Sequence, residues 1–417
     1  MSNNTSRKER KQKAERKIAV ELNVLALSLL FVLASNAKAQ PNNGVFDVMN
    51  FGAKAGGKTD ISQALMAAWR EACALVSPSK VVIPEGEYML SQVTLAGPCK
   101  APVEVQVRGN LKAPADPSKF NNVPSWVTFQ RIDHFTLSGA GTFDGQGGYA
   151  AWAQNDCKQS KKCNKLPINI RFNFVTNGLV RDITSVDSKQ FHINLLGCKN
   201  LTFANITINA PDQSPNTDGI HIGRSSGINI TDSRISTGDD CISLGGGSQN
   251  IAITRVTCGP GHGISVGSLG KYKDEPVFGI NVVNCALINT SNGVRVKTWP
   301  ASLEGIASDM HFEDIVMVNV SNPVLIDQEY CPSNKCNLKA PSRVKISNVS
   351  FKNIRGTSAT QVAVKLACSS GIPCENVEIG DINLSYIGTE GPATSQCSNV
   401  KPTIAGRQTP LACGLIV

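Results

Sequence analysis

Residues 201–208 read LTFANITI, and the fold of the chain can be built outward from this pattern. The apolar members are Leu201, Phe203, Ile206 and Ile208. They alternate with polar residues, as in a strand that buries one face, but a two-residue spacer interrupts the alternation. The second spacer residue is Asn205, and asparagine tolerates the left-handed backbone conformation of a sharp bend. The pattern therefore predicts two short strands joined by a bend.

This pattern recurs along the chain at intervals of 23 to 34 residues. Its copies begin at Leu201, Ile228, Ile251, Ile280, Met310, Val344 and Val377, and Ser233 replaces one apolar residue in the second copy. The second spacer residue is Asn or Asp in six of them: Asn205, Asp232, Asn284, Asp314, Asn348 and Asp381. Such units bury little alone and form a core by stacking. We therefore predict an all-β parallel β-helix. An ordinary β-sandwich is the alternative, but it fits poorly with a constant bend between loops of variable length.

Residues ahead of the repeats predict a single helix. Thr59 and Asp60 are suited to cap a helix that runs from Ile61 to about Cys73, where apolar residues have helical spacing. One amphipathic helix before a β array is expected to cover its open first coil.

The N-terminus has the features of a secretory signal. Residues 7–17 are densely basic, residues 24–34 are apolar, and Ala37-Lys38-Ala39 resembles a cleavage site. This predicts a signal peptide of residues 1–39 and a single catalytic domain of residues 40–417; an uncleaved anchor is the alternative. The first 39 residues hold +5 of the +9 formal charge. The mildly basic remainder gives no case for nucleic acid, and no membrane association is expected after cleavage.

Fourteen cysteines in a secreted chain predict disulfides. The expected pairs are Cys157–Cys163, Cys331–Cys336, Cys368–Cys374, Cys397–Cys413, Cys241–Cys258 and, more weakly supported, Cys73–Cys99. Cys198 and Cys285 lie in apolar strand patterns and are expected to be free buried thiols. Beyond the predicted signal peptide, glycosylation sequons begin at Asn200, Asn205, Asn229, Asn289, Asn319, Asn348 and Asn383.

Four short polar motifs fall between the repeats, one per coil. They read NTDG at 216–219, GDDC at 238–241, GHG at 261–263 and RVK at 295–297. Each alone is a common surface turn or strand edge. On one face of a β-helix, however, they would lie in successive coils at a rise of about 4.8 Å. Three carboxylates brought together in this way repel each other, so at least one is expected to have a raised pKa and stay protonated.

The ordered series of motifs resembles that of the polygalacturonases, glycoside hydrolase family 28, and its spacing is most similar to the plant, pollen-type branch. The resemblance implies a right-handed β-helix and an exo-acting enzyme. Such an enzyme hydrolyses α-1,4-galacturonosyl links of polygalacturonate with inversion, without metal or cofactor. It also implies a secreted, cell-wall monomer whose partner is pectin.

The resemblance also implies roles for individual residues. Asp239 corresponds to the general acid, and Asp218 and Asp240 to the pair that activates water. His262 corresponds to a histidine that supports protonation of the acid and binds substrate. The expected substrate-binding residues are Asn216, Arg295, Lys297 and Tyr330. The remaining histidines, His134, His192, His221 and His311, are expected to be structural.

Several functions remain open at this point. An endo-acting polygalacturonase, a rhamnogalacturonan hydrolase and a Ca²⁺-dependent pectate lyase are the enzyme alternatives. A catalytically silent wall-binding protein is the alternative from another class, although the complete carboxylate set argues against it.

Overall fold

The structure is a computed structural model, and it describes residues 44–120, 123–148, 166–273, 275–332, 334–411 and 413. The predicted signal peptide and the predicted Cys157–Cys163 pair lie outside the described residues. The described residues belong to one compact unit, Asn43–Val417.

The strands form three stacks, and each strand pairs in parallel with its counterpart in the next coil. The first stack contains β1 (Val45–Asp47), β2 (Ser79–Ile83), β5 (Val103–Val107), β8 (Phe135–Ser138), β11 (Thr176–Arg181), β14 (Lys199–Ala204), β17 (Ser226–Thr231), β20 (Gln249–Thr254), β23 (Val277–Val283), β26 (Gly305–Val320), β28 (Val344–Ser358), β30 (Glu375–Tyr386) and β32 (Thr403–Thr409). The second contains β3 (Glu87–Met89), β6 (Asn110–Lys112), β9 (Thr142–Asp144), β12 (Thr184–Val186), β15 (Thr207–Asn209), β18 (Arg234–Ser236), β21 (Thr257–Cys258) and β24 (Ala286–Ile288), and it continues into β26, β28 and β30.

The third stack forms the face on which the polar motifs lie. It contains β4 (Val93–Ala96), β7 (Ser125–Gln130), β10 (Ile168–Asn173), β13 (Ile193–Leu196), β16 (Ile220–Gly223), β19 (Ile242–Leu244), β22 (Ile264–Leu269), β25 (Asn292–Thr298), β27 (Asn322–Asp327), β29 (Val362–Ala367) and β31 (Thr394–Ser398). The predicted all-β parallel β-helix is therefore confirmed.

The bend residues adopt the conformation that the repeat pattern predicts. Their φ angles lie between 49° and 56° at Asn205, Asp232, Arg255, Asn284, Asp314, Asn353 and Asp381. The repeat predicted to begin at Val344 is out of register, because Met310 pairs with Val349 and Ile315 with Ile354. The bend of that coil is therefore Asn353 and not Asn348. Arg255 is the one residue among these bend residues that is neither Asn nor Asp. Its Nε donates to Oδ1 of Asp232 in the preceding coil at 2.6 Å. Left-handed Asn or Asp thus turns the first stack into the second in six of the seven predicted repeats.

The inward residues of successive coils form one continuous core. Phe172 stacks on Phe129 with ring centroids 5.3 Å apart and meets Phe203 edge-on at 5.5 Å. Ser233, the polar member of the second repeat, is buried, and its Oγ donates to the carbonyl of Thr231. Stacking therefore supplies the hydrophobic burial that no single coil provides.

The helix α1 (Ser62–Ala74) covers the start of this core, within one residue of the prediction at each end. Asp60 Oδ1 accepts from the Ser62 N–H at 3.0 Å, one residue before the N-cap position Ile61. Trp69 is buried, and its Nε1 donates to the carbonyl of Ala96 at 3.1 Å. Two short 3₁₀ helices span Val48–Phe51 and Pro117–Phe120. No helix in the described ranges is long and apolar enough to span a bilayer.

Five predicted disulfides are present: Cys73–Cys99, Cys241–Cys258, Cys331–Cys336, Cys368–Cys374 and Cys397–Cys413. Cys198 and Cys285 are free and buried, as expected, and burial raises the pKa of both thiols to about 11. Cys241–Cys258 joins the coil of the second motif to the end of β21, which tethers the aspartate turn.

Candidate active site

The third stack brings four of the polar motifs to one face. Asp218 lies two residues before β16, Asp240 two residues before β19, and His262 two residues before β22. Arg295 and Lys297 lie in the next strand, β25. These strands pair in register, so the motifs occupy consecutive coils about 4.8 Å apart. The predicted convergence of the motifs is therefore observed.

Asp240 is the most completely enclosed of the three aspartates, with 2% of its surface exposed. Its Oδ1 accepts from Arg295 Nη2 at 2.8 Å and from Ser265 Oγ at 2.9 Å, and its Oδ2 accepts from Lys297 Nζ at 2.7 Å. A buried charge is tolerated only when it is paired and hydrogen-bonded. Two cations therefore compensate the negative charge of Asp240.

The family resemblance predicts that Arg295 and Lys297 bind a carboxylate of the substrate. In this structure both donate hydrogen bonds to the carboxylate of Asp240. Their side chains are 10% and 7% exposed. The ring of Tyr330 lies over both, with its centroid 5.8 Å from Arg295 Cζ and 5.1 Å from Lys297 Nζ. Tyr330 therefore belongs to the same cluster, and the cations retain further donors because each has more N–H groups than Asp240 accepts.

Asp218 has the opposite electrostatic environment. Its carboxylate is buried, and among the described residues it accepts a single hydrogen bond, which Ser243 Oγ donates to Oδ2 at 2.7 Å. Burial raises the pKa of Asp218 well above its ordinary value, and the charges of Asp239 and Asp240 raise it further. The raised pKa falls on Asp218 rather than on Asp239, the residue that corresponds to the general acid.

Asp239 is more open to the groove. His262 Nδ1 lies 3.1 Å from its Oδ1, which also accepts from the Asp240 N–H at 2.8 Å. Burial acts to raise the pKa of Asp239, but the hydrogen bond and charge of His262, the Asp240 N–H and the charge of Lys297 together outweigh it, and the pKa lies below the ordinary value. A histidine that keeps the acid protonated would raise the pKa of Asp239, whereas His262 lowers it. Within the described residues, Oδ2 of Asp239 has no hydrogen-bond partner.

His262 is positioned by a turn that requires glycine. Gly261 and Gly263 have φ angles of 141° and 80°, and a Cβ on Gly263 would meet the carbonyl oxygen of Asn292. The N–H of His262 donates to the carbonyl of Asp239 at 2.8 Å. These constraints place the imidazole, which is 43% exposed, beside the Asp239 carboxyl.

Asn216 is separate from the cluster. It occupies an exposed left-handed turn with φ 51°, two residues before Asp218. Within the described ranges its side chain makes no hydrogen bond to the other site residues, so a substrate contact there stays a prediction.

Sequence reasoning missed three members of the site. Ser243 and Ser265 each follow a motif residue by three positions, Asp240 and His262, on outward-facing strand positions. His221, expected to be structural, holds its Nδ1 2.7 Å from Ser243 Oγ. The available signal was the alternation of the strands, which turns these three side chains outward beside the motifs.

Asp239, Asp240 and His262 also offer ligand atoms that lie within 4.8 Å of one another, close enough to hold a metal. A metal there would compete with the cations already bound to both oxygens of Asp240, which disfavours a resident ion. A cavity of about 340 Å³ adjoins His262, and its lining includes Thr290, Ser291 and Asn319. Its hydroxyl and amide groups can hydrogen-bond a sugar, and Asp212 adds a carboxylate to the lining.

Comparison with known proteins agrees with this geometry. Residues 73–413 match the model of glycosyl hydrolases family 28. A polygalacturonase of Gossypium barbadense is 56% identical over 402 residues, which cover 95% of this chain and 97% of the relative. An exopolygalacturonase of Platanus acerifolia is 56% identical over 373 residues, or 89% and 98% of the two chains. The crystal structure of an exopolygalacturonase from Thermotoga maritima has a TM-score of 0.66 at 21% identity, over 83% of this chain and 89% of that chain.

The family match and the relatives define a carbohydrate-cleaving enzyme, and its fold is a right-handed parallel β-helix. The chain belongs to glycosyl hydrolases family 28, which confirms the family resemblance seen in the motifs.

Proposed function

We propose that the protein hydrolyses α-1,4-galacturonosyl links of polygalacturonate with inversion of configuration. The single observation that carries the proposal is the carboxylate cluster, Asp218, Asp239 and Asp240, in adjacent coils of one groove. Inverting glycosidases need a protonated carboxyl for the leaving oxygen and an ionised one for the attacking water. The names of the relatives, polygalacturonase and exopolygalacturonase, support galacturonan as the substrate.

In this mechanism Asp239 donates the proton to the leaving oxygen through its unoccupied Oδ2. Asp218 and Asp240 orient the attacking water, and Asp218 takes its proton, because Asp240 is already bound by two cations. A raised pKa makes Asp218 the stronger base, and a lowered pKa makes Asp239 the stronger acid. The reactive form therefore carries a proton on Asp239 and none on Asp218.

The first test is Asp239→Asn. The substitution keeps the size of the side chain and removes its acid, so kcat on polygalacturonate should fall by about 10² to 10⁴-fold while folding is unchanged. Reducing-sugar release measures the activity, and circular dichroism measures the fold. Asp309→Asn is the matched control, since Asp309 is exposed in β26, outside the third stack. Near-normal turnover by Asp239→Asn would refute the assignment of the acid.

We infer exo action from the branch of the family that the motifs resemble. An exo enzyme releases galacturonate monomer from the first minutes and lowers the viscosity of polygalacturonate slowly. Product sizing over time checks this, because early oligomers and a rapid fall in viscosity would show endo action instead. Unsaturated products with a requirement for Ca²⁺ would indicate a lyase.

We also infer that the enzyme is secreted to the cell wall and acts as a monomer. The five disulfides of the described residues are typical of an oxidising, extracellular environment. N-terminal sequencing of the secreted protein tests cleavage after Ala39, and light scattering tests the monomer.

A further inference from the structure

We propose that His221 is a positioning residue for this reaction and that it acts on Asp218 through the hydroxyl of Ser243. The proposal rests on the proposed function, because it matters only if Asp218 takes the proton of the attacking water. The chain of three side chains, Asp218, Ser243 and His221, is called the relay below.

The relay is built by strand register. His221 in β16 pairs directly with Ser243 in β19, so both point outward from adjacent coils. His221 Nδ1 lies 2.7 Å from Ser243 Oγ, and Ser243 Oγ lies 2.7 Å from Asp218 Oδ2. Ser243 is 2% exposed and is therefore shielded from water that would compete for these bonds. One hydroxyl thus connects the imidazole to the carboxylate.

The single hydrogen of the serine hydroxyl links two protonation events. When Asp218 is ionised, Ser243 donates to it, so His221 must donate from Nδ1 and leave Nε2 as an acceptor. When Asp218 is protonated, it can donate to Ser243, and the serine hydrogen can then point to an unprotonated Nδ1. The tautomer of His221 therefore follows the proton on Asp218.

His221 is held neutral and in place for this role. Burial lowers its pKa to about 4, and the Phe191 ring lies against it with centroids 5.0 Å apart. In the described ranges Nε2 has no hydrogen-bond partner, yet it is not enclosed as the Nε2 of His192 is. Gly245 has no side chain near this nitrogen; a Cβ there would lie 3.6 Å from it. The outer nitrogen can therefore exchange a proton with water or accept from a sugar hydroxyl.

In the adjacent coil a serine also connects an aspartate to a second side chain, but that side chain is an arginine. Ser265, in register with Ser243, donates to Asp240 and accepts from Arg295 Nε at 3.0 Å. A permanent cation therefore lies behind the serine of Asp240, whereas a neutral, titratable ring lies behind the serine of Asp218. The charged groups that face Asp218 are Asp239, Asp240 and Lys297. Among the described residues, the relay alone connects Asp218 by hydrogen bonds to a side chain that can move its own proton from one atom to another.

The experiment uses the variants His221→Ala and Ser243→Ala. Each should lower kcat about 10- to 100-fold and leave KM nearly unchanged. Ser243→Ala removes the hydrogen bond that stabilises ionised Asp218 and so raises its pKa further. Because the reactive form carries its proton on Asp239, whose pKa is the lower of the two, Asp218 sets the alkaline limb of kcat/KM, and this limb should move to higher pH. His221→Ala removes the group that orients the serine hydroxyl, so the same limb should move in the same direction. The double variant should be no worse than either single variant, because both break one chain. Added imidazole should restore part of the kcat of His221→Ala.

The matched control is His311→Ala. His311 Nδ1 also bonds a serine, Ser350 Oγ at 2.8 Å, but this pair lies on the first stack. It should have wild-type kinetics and no response to imidazole. Thermal unfolding of every variant separates loss of fold from loss of function.

Two results would overturn the relay. One is a His221→Ala enzyme with wild-type kcat and pH profile. The other is a folded enzyme that loses activity while its pH profile stays fixed and imidazole has no effect, which would mark a structural role. If the wild-type protein itself releases no sugar from polygalacturonate, the proposed function fails and the relay fails with it. Normal wild-type activity beside an unaffected His221→Ala refutes the relay alone.

Discussion

At the scale of single residues, Asp218 and Asp240 have equivalent positions in adjacent coils and opposite surroundings. Asp240 receives two cations and a serine, whereas Asp218 receives one serine and the repulsion of two carboxylates. The difference lies in the coils that follow each aspartate. Asp240 meets Ser265 one coil on and the two cations of β25 two coils on, whereas among the described residues Asp218 accepts from Ser243 alone. The two aspartates therefore differ in role because Asp240 accepts hydrogen bonds from cations and Asp218, within the described part of the chain, does not.

Asp218→Asn should stabilise the enzyme at neutral pH while inactivating it. Folding raises the pKa of Asp218, so the folded state loses stability as the pH rises above the ordinary aspartate value and through the raised one. The amide removes that cost and can still accept from Ser243. We expect Tm at pH 7 to rise by about 2 °C or more, with almost no gain at pH 3. Calorimetry at both pH values checks this, and a lower Tm at pH 7 contradicts it; Asp309→Asn should show no such pH-dependent gain.

Lys297→Ala should affect both binding and the site itself. It removes one of two cations from Asp240 and a candidate partner for a galacturonate carboxylate. We expect KM to rise about tenfold or more and the free energy of unfolding to fall by up to about 3 kcal/mol. Steady-state kinetics and chemical denaturation measure the two effects. Lys352→Ala, which breaks an exposed ion pair with Glu378, is the control, and an unchanged KM for Lys297→Ala would count against carboxylate recognition.

At the scale of elements, the bends matter as much as the strands. Asn284 turns β23 toward β24 with φ 55°, and the equivalent residue of nearly every repeat is Asn or Asp. These residues adopt the left-handed region at low cost, whereas a β-branched residue does not. The bend therefore fixes the angle between the first and second stacks in each coil.

Asn284→Val should destabilise the β-helix by about 1–2 kcal/mol, because valine resists the left-handed conformation. The control is Asn281→Val in the same coil, which is an exposed strand position outside the positive-φ set. It should be nearly neutral. Chemical denaturation of both proteins measures the difference, and equal stabilities would show that the bend tolerates any side chain.

At the scale of the whole molecule, sequence reasoning recovered what local chemistry determines. The repeat, the bends, the cap helix and five disulfides follow from spacing and residue type, and so does the convergence of Asp218, Asp240 and His262. The relay could not be read in the same way, because its hydrogen bonds depend on rotamers of residues in different coils. The signs of the pKa shifts at Asp218 and Asp239 also required burial and distances, which spacing does not supply.

The pairing of His221 with Ser243, and of Ser243 with Ser265, has a consequence for how such a chain can evolve. Insertion or loss of a single residue within β19 would turn Ile242 toward solvent and Ser243 into the hydrophobic core. Activity and solubility would both be lost. Insertions and deletions are instead tolerated in the loops that connect the strands, where they leave this alternation intact. New specificities are therefore expected to arise by changes in those connections, while the strand lengths of the β-helix stay constant.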